Sequence, residues 1–179
     1  EEFGIDLSIE ISLTKTREMM GKKLLCSTKV PISNGWIAFY RACSENNKDI
    51  VEYIINNAEE FGIDLSLASQ NGETGFYYAC WKGNYQAVKL LIQKSKSLRL
   101  DLNKANVDGW TGFHVACRKN HEDIVEFIIK NAVEFEIDLS LADNNGETGF
   151  YNACWKGNFQ AVKLIIKKSK YLKLDLNKA

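Results

Sequence analysis

The sequence has very little proline, no excess of charge of either sign and no long apolar run. Pro31 is the one proline in 179 residues, which argues against Pro-rich linkers or tails. Lysine plus arginine equals aspartate plus glutamate at 23 each, so no overall field attracts nucleic acid or an anionic membrane. No apolar run approaches the roughly 18 residues that a membrane-spanning helix needs, so membrane insertion is not expected.

Motifs for targeting and catalysis are also missing. The first residues, Glu1-Glu2-Phe3-Gly4, include neither an initiator methionine nor a signal peptide, so we expect a segment of a longer chain. The glycines occur singly, without the clusters that cradle a phosphate. His114 and His121 have no Ser, Cys or acidic partner at catalytic spacing, so we interpret both as structural. The sequence therefore predicts no catalytic residue and no cofactor.

A 37-residue period is the strongest signal that is present. Glycine, cysteine and aspartate each recur at this spacing in one register: Gly35, Gly72, Gly109 and Gly146; Cys43, Cys80, Cys117 and Cys154; Asp64, Asp101, Asp138 and Asp175. Such self-similarity is the mark of a repeat architecture, in which stacked units share one core. We divide the chain into an N-terminal segment, 1–33, and units one to four: 34–70, 71–107, 108–144 and 145–179.

A second period lies on top of the first. Units two and four differ at six of 35 aligned positions, and units one and three share a DIVE-containing segment. The duplicated element is thus a pair of units.

Each unit has the pattern of two helices joined by a turn. In unit two, Thr74 is a candidate N-cap for a helix of about two turns, and Gly83 is expected to end it. A second run of apolar residues at helical spacing follows. About four additional residues, such as 94–98, come before the next aspartate, and we expect them to add one turn to the second helix.

The residues at this point resemble the ankyrin repeat. Residues 108–117, DGWTGFHVAC, match the first half of the family's motif, and Asn120-His121, Ile124-Val125, Ile128-Ile129 and Asp138 continue the match. The resemblance covers residues 34–179 in four registers. It implies an all-α solenoid of stacked helix-turn-helix units with hairpin-like connecting loops.

Two departures from the family pattern affect the first helix. The usual proline of the T-P-L-H motif is glycine at positions 75, 112 and 149 and Ala38 in unit one. Glycine in a first helical turn costs on the order of 1 kcal/mol relative to alanine, so we expect some loss of local stability. The usual histidine is tyrosine at positions 40, 77 and 151, and only His114 keeps the imidazole that family members bond to the threonine.

The N-terminal segment fits the period poorly. Residues 1–8 are identical to residues 59–66, so a unit ends there, but residues 9–33 are too short for the next one. Two interpretations are compatible with this segment. It is either a degenerate repeat that acts as a cap, or the result of a gene-model error or an incompletely built segment.

The cysteines in register are interpreted as structural. Equivalent positions on stacked helices lie about 8–10 Å apart, beyond the roughly 7 Å between Cα atoms that a disulfide allows. Four sulfurs also cannot converge on one zinc ion at such spacing. We therefore predict no metal site. Thiols without close pairing fit a reducing compartment, so the expected location is intracellular, in the cytoplasm.

The resemblance also implies a binding surface. In the family, the turn tips and the exposed side of the first helix vary and face a concave groove. The residues in these slots are Trp36, Glu73, Trp81, Lys82, Trp110, Arg118, Lys119, Glu147, Trp155 and Lys156. Exposed tryptophan flanked by cations is typical of binding hot spots. The alternative is that each tryptophan covers the core of its own repeat.

Net charge alternates between the units, at −4, +4, −5 and +5. The column Glu52, Lys89, Glu126 and Lys163 in the second helix has the same alternation, and we expect it to form ion pairs between neighbouring units. The alternation also denies nucleic acid a continuous basic stripe.

Two functions are compatible with this sequence. The first is a non-catalytic adaptor or scaffold that binds a protein or peptide on the concave face. The second is an architectural spacer whose contacts are further repeats of the same parent chain.

Overall fold

In units two and three, the first helix begins after a threonine and ends at a residue with a left-handed backbone. In the computed structural model, which describes residues 34–172 and 174–177, with side chains from Ala38 onward, Thr74 Oγ1 accepts the backbone N–H of Tyr77 at 3.1 Å. Gly83 and Asn120 end their helices at φ +72° and +60°. The predicted cap at Thr74 and stop at Gly83 are confirmed.

Eight helices form within the described residues, two in each unit. They are α1 (Asn34–Ser44), α2 (Lys48–Asn57), α3 (Gly75–Lys82), α4 (Tyr85–Gln93), α5 (Gly112–Lys119), α6 (Glu122–Asn131), α7 (Gly149–Trp155) and α8 (Phe159–Leu172). The odd-numbered first helices pack against one another in chain order, and so do the even-numbered second helices. The expectation of an all-α repeat solenoid is confirmed. The predictions for residues 1–33, and the side chain of Trp36, lie outside the described part.

One continuous core runs through the stack. Ile55, Leu91, Ile128 and Ile165 are buried at or near the same register of successive second helices, and the three cysteines Cys43, Cys80 and Cys117 are buried on the first helices. Because neighbouring units bury their apolar faces against each other, no unit closes a core alone.

Phenylalanine and glycine interlock between neighbouring first helices. A Cβ atom on Gly112 would lie 2.7 Å from Cε1 of Phe76, and Gly75 and Gly149 receive Phe39 and Phe113 in the same way. The glycine that replaces the family's proline therefore makes room for the phenylalanine of the preceding unit. The loss of helix stability that we expected from these glycines is therefore accompanied by close packing of phenylalanine between the units.

The loops between units form short hairpin-like turns. Ala68 pairs with Thr74, and Ala142 pairs with Thr148, in isolated antiparallel bridges. Each tip carries a glycine with positive φ, and neighbouring tips are joined by a bond from Asn144 N–H to the Asp108 carbonyl at 3.0 Å. The loops therefore stack along the solenoid together with the helices.

The predicted lengthening of the second helix is correct only in unit four. There α8 continues to Leu172, whereas α2, α4 and α6 stop at residues 57, 93 and 131. Turns follow, and Gly62, Arg99 and Glu136 adopt φ of +61°, +52° and +54°. The residue after each of them donates its N–H to a carbonyl five residues earlier, as in a Schellman motif. The additional residues thus form a terminating turn in units one to three.

Candidate functional site

Arg118 lies between two indole rings from different units. Its guanidinium carbon is 5.1 Å from the centroid of Trp110 and 4.5 Å from the centroid of Trp155. Its Nη1 donates to Asn152 Oδ1 at 3.3 Å. The helix α5 presents Arg118, the tip before α5 presents Trp110, and the end of α7 presents Trp155. The three side chains therefore join units three and four at the surface of the first helices.

Lys119, the next residue, reaches the opposite neighbour. Its Nζ lies 5.3 Å from the centroid of Trp81 in unit two. The indole of Trp81 packs in turn on Tyr78, with centroids 5.5 Å apart. We call the surface formed by α1, α3, α5, α7 and the tips that precede them the first-helix face. Aromatic and cationic side chains alternate along it.

Glu73 is held by an internal hydrogen-bond network. Its Oε2 accepts from Tyr78 Oη at 2.7 Å and from Ser69 Oγ at 3.0 Å, and Tyr40 donates to Tyr78 at 3.0 Å. Burial raises the pKa of Tyr78, and the bonds to Tyr40 and Glu73 raise it further, so this phenol stays neutral. One carboxylate oxygen of Glu73 is therefore occupied within the protein.

The predicted site residues thus fall into two groups. Trp81, Trp110, Arg118, Lys119 and Trp155 are brought into contact with one another in two clusters. Lys82 and Lys156 are exposed, and Glu147 is partly buried. Trp155 is 56% exposed, and Trp81 and Trp110 are partly buried. The side chain of Trp36 lies outside the described residues.

Sequence reasoning missed Asn152 and Tyr78. These residues occupy equivalent positions in units four and two, one of the six positions at which the two units differ. Asn152 accepts from Arg118, whereas Tyr78 bonds to Glu73. The substitution of Tyr78 by Asn152 between two nearly identical units was the sequence signal that could have identified this position.

The expected ion-pair ladder on the second helices is wrong. Within the described part of the chain, the one ion pair joins Lys130 Nζ and Glu126 Oε1 at 2.6 Å, inside α6. Glu126 of α6 and Lys163 of α8 both line an open groove of about 480 Å³. Glu126 pairs with Lys130 of its own helix and not with Lys163.

The described cysteines carry free thiols. Cys43, Cys80 and Cys117 are buried, and burial raises the pKa of each of these thiols. Cys154 is exposed, and partial desolvation raises its pKa. Over the described ranges, no group of three or more His, Cys, Asp or Glu side chains is placed to hold a metal ion. The same residues include no helix that is long and apolar enough to cross a bilayer.

His114 and Thr111 are bonded as the family resemblance implies. The Thr111 N–H donates to His114 Nδ1 at 3.2 Å, and Thr111 Oγ1 lies 2.8 Å from the same nitrogen. This contact starts α5, which carries Arg118 and Lys119.

Comparison with known families agrees with this architecture. The family model of ankyrin repeats, in three copies, matches residues 15–104 and 96–178. A search of curated proteins finds no match to the chain. Ankyrin repeats are in general modules of protein–protein interaction, and the family is typically non-catalytic. The fold, the repeat register and the family match together establish that this chain belongs to the ankyrin repeat family.

Proposed function

We propose that the chain is a non-catalytic adaptor or scaffold module that binds a protein or peptide on its first-helix face. The observation that carries the proposal is the stack of Trp110, Arg118 and Trp155. It places large aromatic surface and a guanidinium side by side at the junction of two units, and Trp, Tyr and Arg dominate the energetics of protein interfaces.

The exposure of Trp155 supports the same proposal. More than half of this residue is open to solvent. A partner that covered the indole would therefore remove a large apolar area from water, which favours binding. The Arg118 guanidinium contacts two indoles and donates to Asn152, so its conformation is restricted before any partner arrives. Prior restriction lowers the entropy lost on binding.

The binding partner in this proposal is intracellular. Free cysteines without a disulfide partner are typical of reducing compartments, and the described cysteines are all free. A cytoplasmic protein or peptide is therefore the expected partner, and we do not expect nucleic acid or membrane insertion.

Affinity capture from a cell lysate tests the adaptor function. The immobilised chain should retain a defined set of proteins that is lost when Trp81 and Trp155 are both changed to alanine. The matched control changes two exposed aromatics in and after α2, Tyr53 and Phe61, to alanine. If the Trp81/Trp155 variant and the control retained the same proteins as the original chain, the first-helix face would not be the binding surface.

An architectural role is favoured by a second observation, the apolar end of unit four. Ile166 is 52% exposed, whereas its equivalent in unit two, Ile92, is fully buried beneath unit three. Cys154 is likewise exposed and its equivalent Cys80 buried. A terminal capping repeat normally has a polar outer face, so this end retains the character of a stacking surface. We propose that it stacks against one more ankyrin repeat.

Extending the chain tests this architectural role. Residues 106–144, with the cysteine of the copy changed to alanine, are appended after position 179 in a Cys26→Ser background, so that the 37-residue register is kept, and the rate of Cys154 alkylation is compared with that of the parent chain. Stacking should slow the alkylation and raise the melting temperature, because a new interface is buried. An unchanged rate would contradict the role. A pure spacer would also keep its interactions when Trp81 and Trp155 become alanine, which separates the two functions.

A further inference from the structure

We propose that the occupant of the first-helix face is an extended acidic peptide, one carboxylate of which is received by Arg118. The inference rests on the proposed adaptor function and adds the chemistry of the partner. It depends on how charge is distributed between the two rows of helices, and on the geometry around Arg118.

Charge is sorted by row of helices as well as by unit. The four first helices contain no aspartate or glutamate, and their charged residues are the cations Arg41, Lys82, Arg118 and Lys119. Lys156 follows directly after α7. The second helices of units one and three carry five acidic residues, Asp49, Glu52, Glu122, Asp123 and Glu126, and the other acidic residues of these units lie in turns and loops. On the first-helix face, the acidic residues Glu73, Asp108, Asp143 and Glu147 are confined to the tips. The first helices themselves are uniformly basic, so an acidic peptide would lie along the helices rather than over the tips.

Arg118 is prepared to bind a carboxylate. Two indoles contact its guanidinium, with ring centroids 5.1 and 4.5 Å from the guanidinium carbon, and the N–H donors lie in the plane of the group. Asn152 accepts one of the five N–H bonds. The remaining donors form the planar fork that matches a carboxylate in a bidentate bond. The contacts with Trp110, Trp155 and Asn152 restrict the Arg118 side chain, so little conformational entropy is lost when a carboxylate binds.

The cations diverge along the stack. Arg118 reaches toward unit four and Lys119 toward unit two, and Lys82 and Lys156 belong to units two and four. A single phosphate would need several cations that converge on one point, whereas a chain of carboxylates needs one cation at each step. Stacked helices lie about 8–10 Å apart, and three residues of a peptide in the extended polyproline II conformation span about 9 Å and return the side chain to the same face. The preferred partner should therefore carry aspartate or glutamate at every third position.

Selection from a random peptide library tests the inference. A twelve-residue library is displayed and selected on the full chain, with counter-selection on the variant in which Trp81 and Trp155 are alanine. The sequences retained should be rich in Asp and Glu at a spacing of three. A synthetic peptide of the consensus should then shift the indole Nε1–H resonances of Trp110 and Trp155.

The variant Arg118→Lys separates the fork from its charge. It should bind the consensus peptide roughly tenfold more weakly, because the planar bidentate contact is lost while the positive charge remains. Lys119→Gln should also weaken binding. The matched control, Lys130→Gln on α6, removes an exposed lysine from the other row of helices and should leave the affinity unchanged. Circular dichroism of each variant checks that the fold is intact.

The outcomes distinguish this inference from the function on which it rests. Selected peptides that need Trp81 and Trp155 but are not acidic would overturn the acidic partner and leave the peptide-binding function standing. A library that yields no sequence dependent on these tryptophans would count against both. Equal binding by Arg118→Lys would overturn the role of the fork. Tighter binding by more than roughly tenfold when phosphoserine replaces the acidic residues would identify a phosphate site instead.

Discussion

Gly83 of unit two lies directly against the imidazole of His121 in unit three. A Cβ atom on Gly83 would be 2.7 Å from His121 Cε1, and His121 Nε2 lies 3.1 Å from the carbonyl oxygen of Trp81. The end of α3 is thus covered by a side chain from the next unit. Because Trp81 belongs to the first-helix face, this contact also fixes the position of a candidate binding residue.

Replacing Gly83 by alanine should destabilise the fold more than replacing Gly157. Both glycines have a left-handed backbone, with φ of +72° and +69°, and they occupy equivalent positions in units two and four, but nothing lies within 4 Å of a Cβ atom on Gly157. Each substitution costs about 1–2 kcal/mol for the backbone. Gly83→Ala additionally displaces His121 and weakens its hydrogen bond, for about 1 kcal/mol more. Urea unfolding measures the difference.

The same pair of substitutions in a His121→Ala background is the control. Without the imidazole, Gly83→Ala and Gly157→Ala should destabilise the chain about equally. A difference that persisted in this background would show that His121 is not its cause.

Phe76 and Gly112 should be energetically coupled. The Cβ atom introduced by Gly112→Ala would press on both the ring of Phe76 and the sulfur of Cys80, and overpacking of a core costs typically 1–3 kcal/mol. Phe76→Leu should relieve much of this cost, so the double variant should be more stable than the sum of the single changes predicts. A double-mutant cycle by thermal unfolding measures the coupling. Additive effects would mean that the two residues do not constrain each other.

The sequence predicted the helix pairs well because their signals are local. Thr74 as a cap and Gly83 as a stop follow from the backbone preferences of single residues, and the 37-residue period repeats the threonine in units two to four and the glycine in units two and four. The Phe76–Gly112 contact joins different units. Helix propensity, which is a local property, predicted only that glycine would destabilise its own helix. Spacing along one chain does not reveal which side chains of neighbouring units meet.

The candidate site was predictable in composition and not in detail. The repeat register placed the tryptophans and cations on one row of helices, but it could not give the directions of Arg118 and Lys119, which are set by rotamers and by the stacking of units. The ion-pair ladder failed for a related reason. Residues in register, such as Glu126 and Lys163, lie on adjacent helices and line one open groove, yet Glu126 pairs with Lys130 of its own helix.

Changing Glu136 to glycine should stabilise the chain. Glu136 has φ of +54° in the turn after α6, and the equivalent position in unit one is Gly62, at φ +61° with open space around it. A left-handed conformation costs a residue with a Cβ atom roughly 1 kcal/mol, which glycine avoids. The gain is reduced in part by the greater entropy of glycine in the unfolded chain. The melting temperature should rise by a few degrees.

The reverse substitution at the equivalent position is the control. Gly62→Glu should lower the melting temperature by a similar amount, since Gly62 has no neighbour that a side chain would displace. A loss of stability with Glu136→Gly would imply that the glutamate side chain has a stabilising contact that outweighs the backbone cost.

Stability should fall on acidification because of His114. Burial lowers the pKa of this imidazole from its ordinary value of 6.5, and the carboxylate of Asp143 opposes the shift in part. The folded chain therefore holds His114 neutral at a pH where the unfolded chain already binds a proton. The contribution of neutral His114 to the free energy of unfolding is complete above pH 6.5 and is lost as the pH falls below it. The free energy of unfolding then falls by at most about 1.4 kcal/mol per pH unit.

Comparison with a His114→Tyr variant isolates this effect. Tyrosine occupies the equivalent buried position 77 in unit two, and it does not titrate between pH 5 and 7. The two proteins differ only at position 114, so the contributions of all other groups cancel in the difference. Denaturant unfolding at pH 7 and pH 5 should show a larger loss of stability in the original chain. Equal losses would mean that His114 binds a proton as readily in the folded chain as in the unfolded one, which contradicts a shift caused by burial.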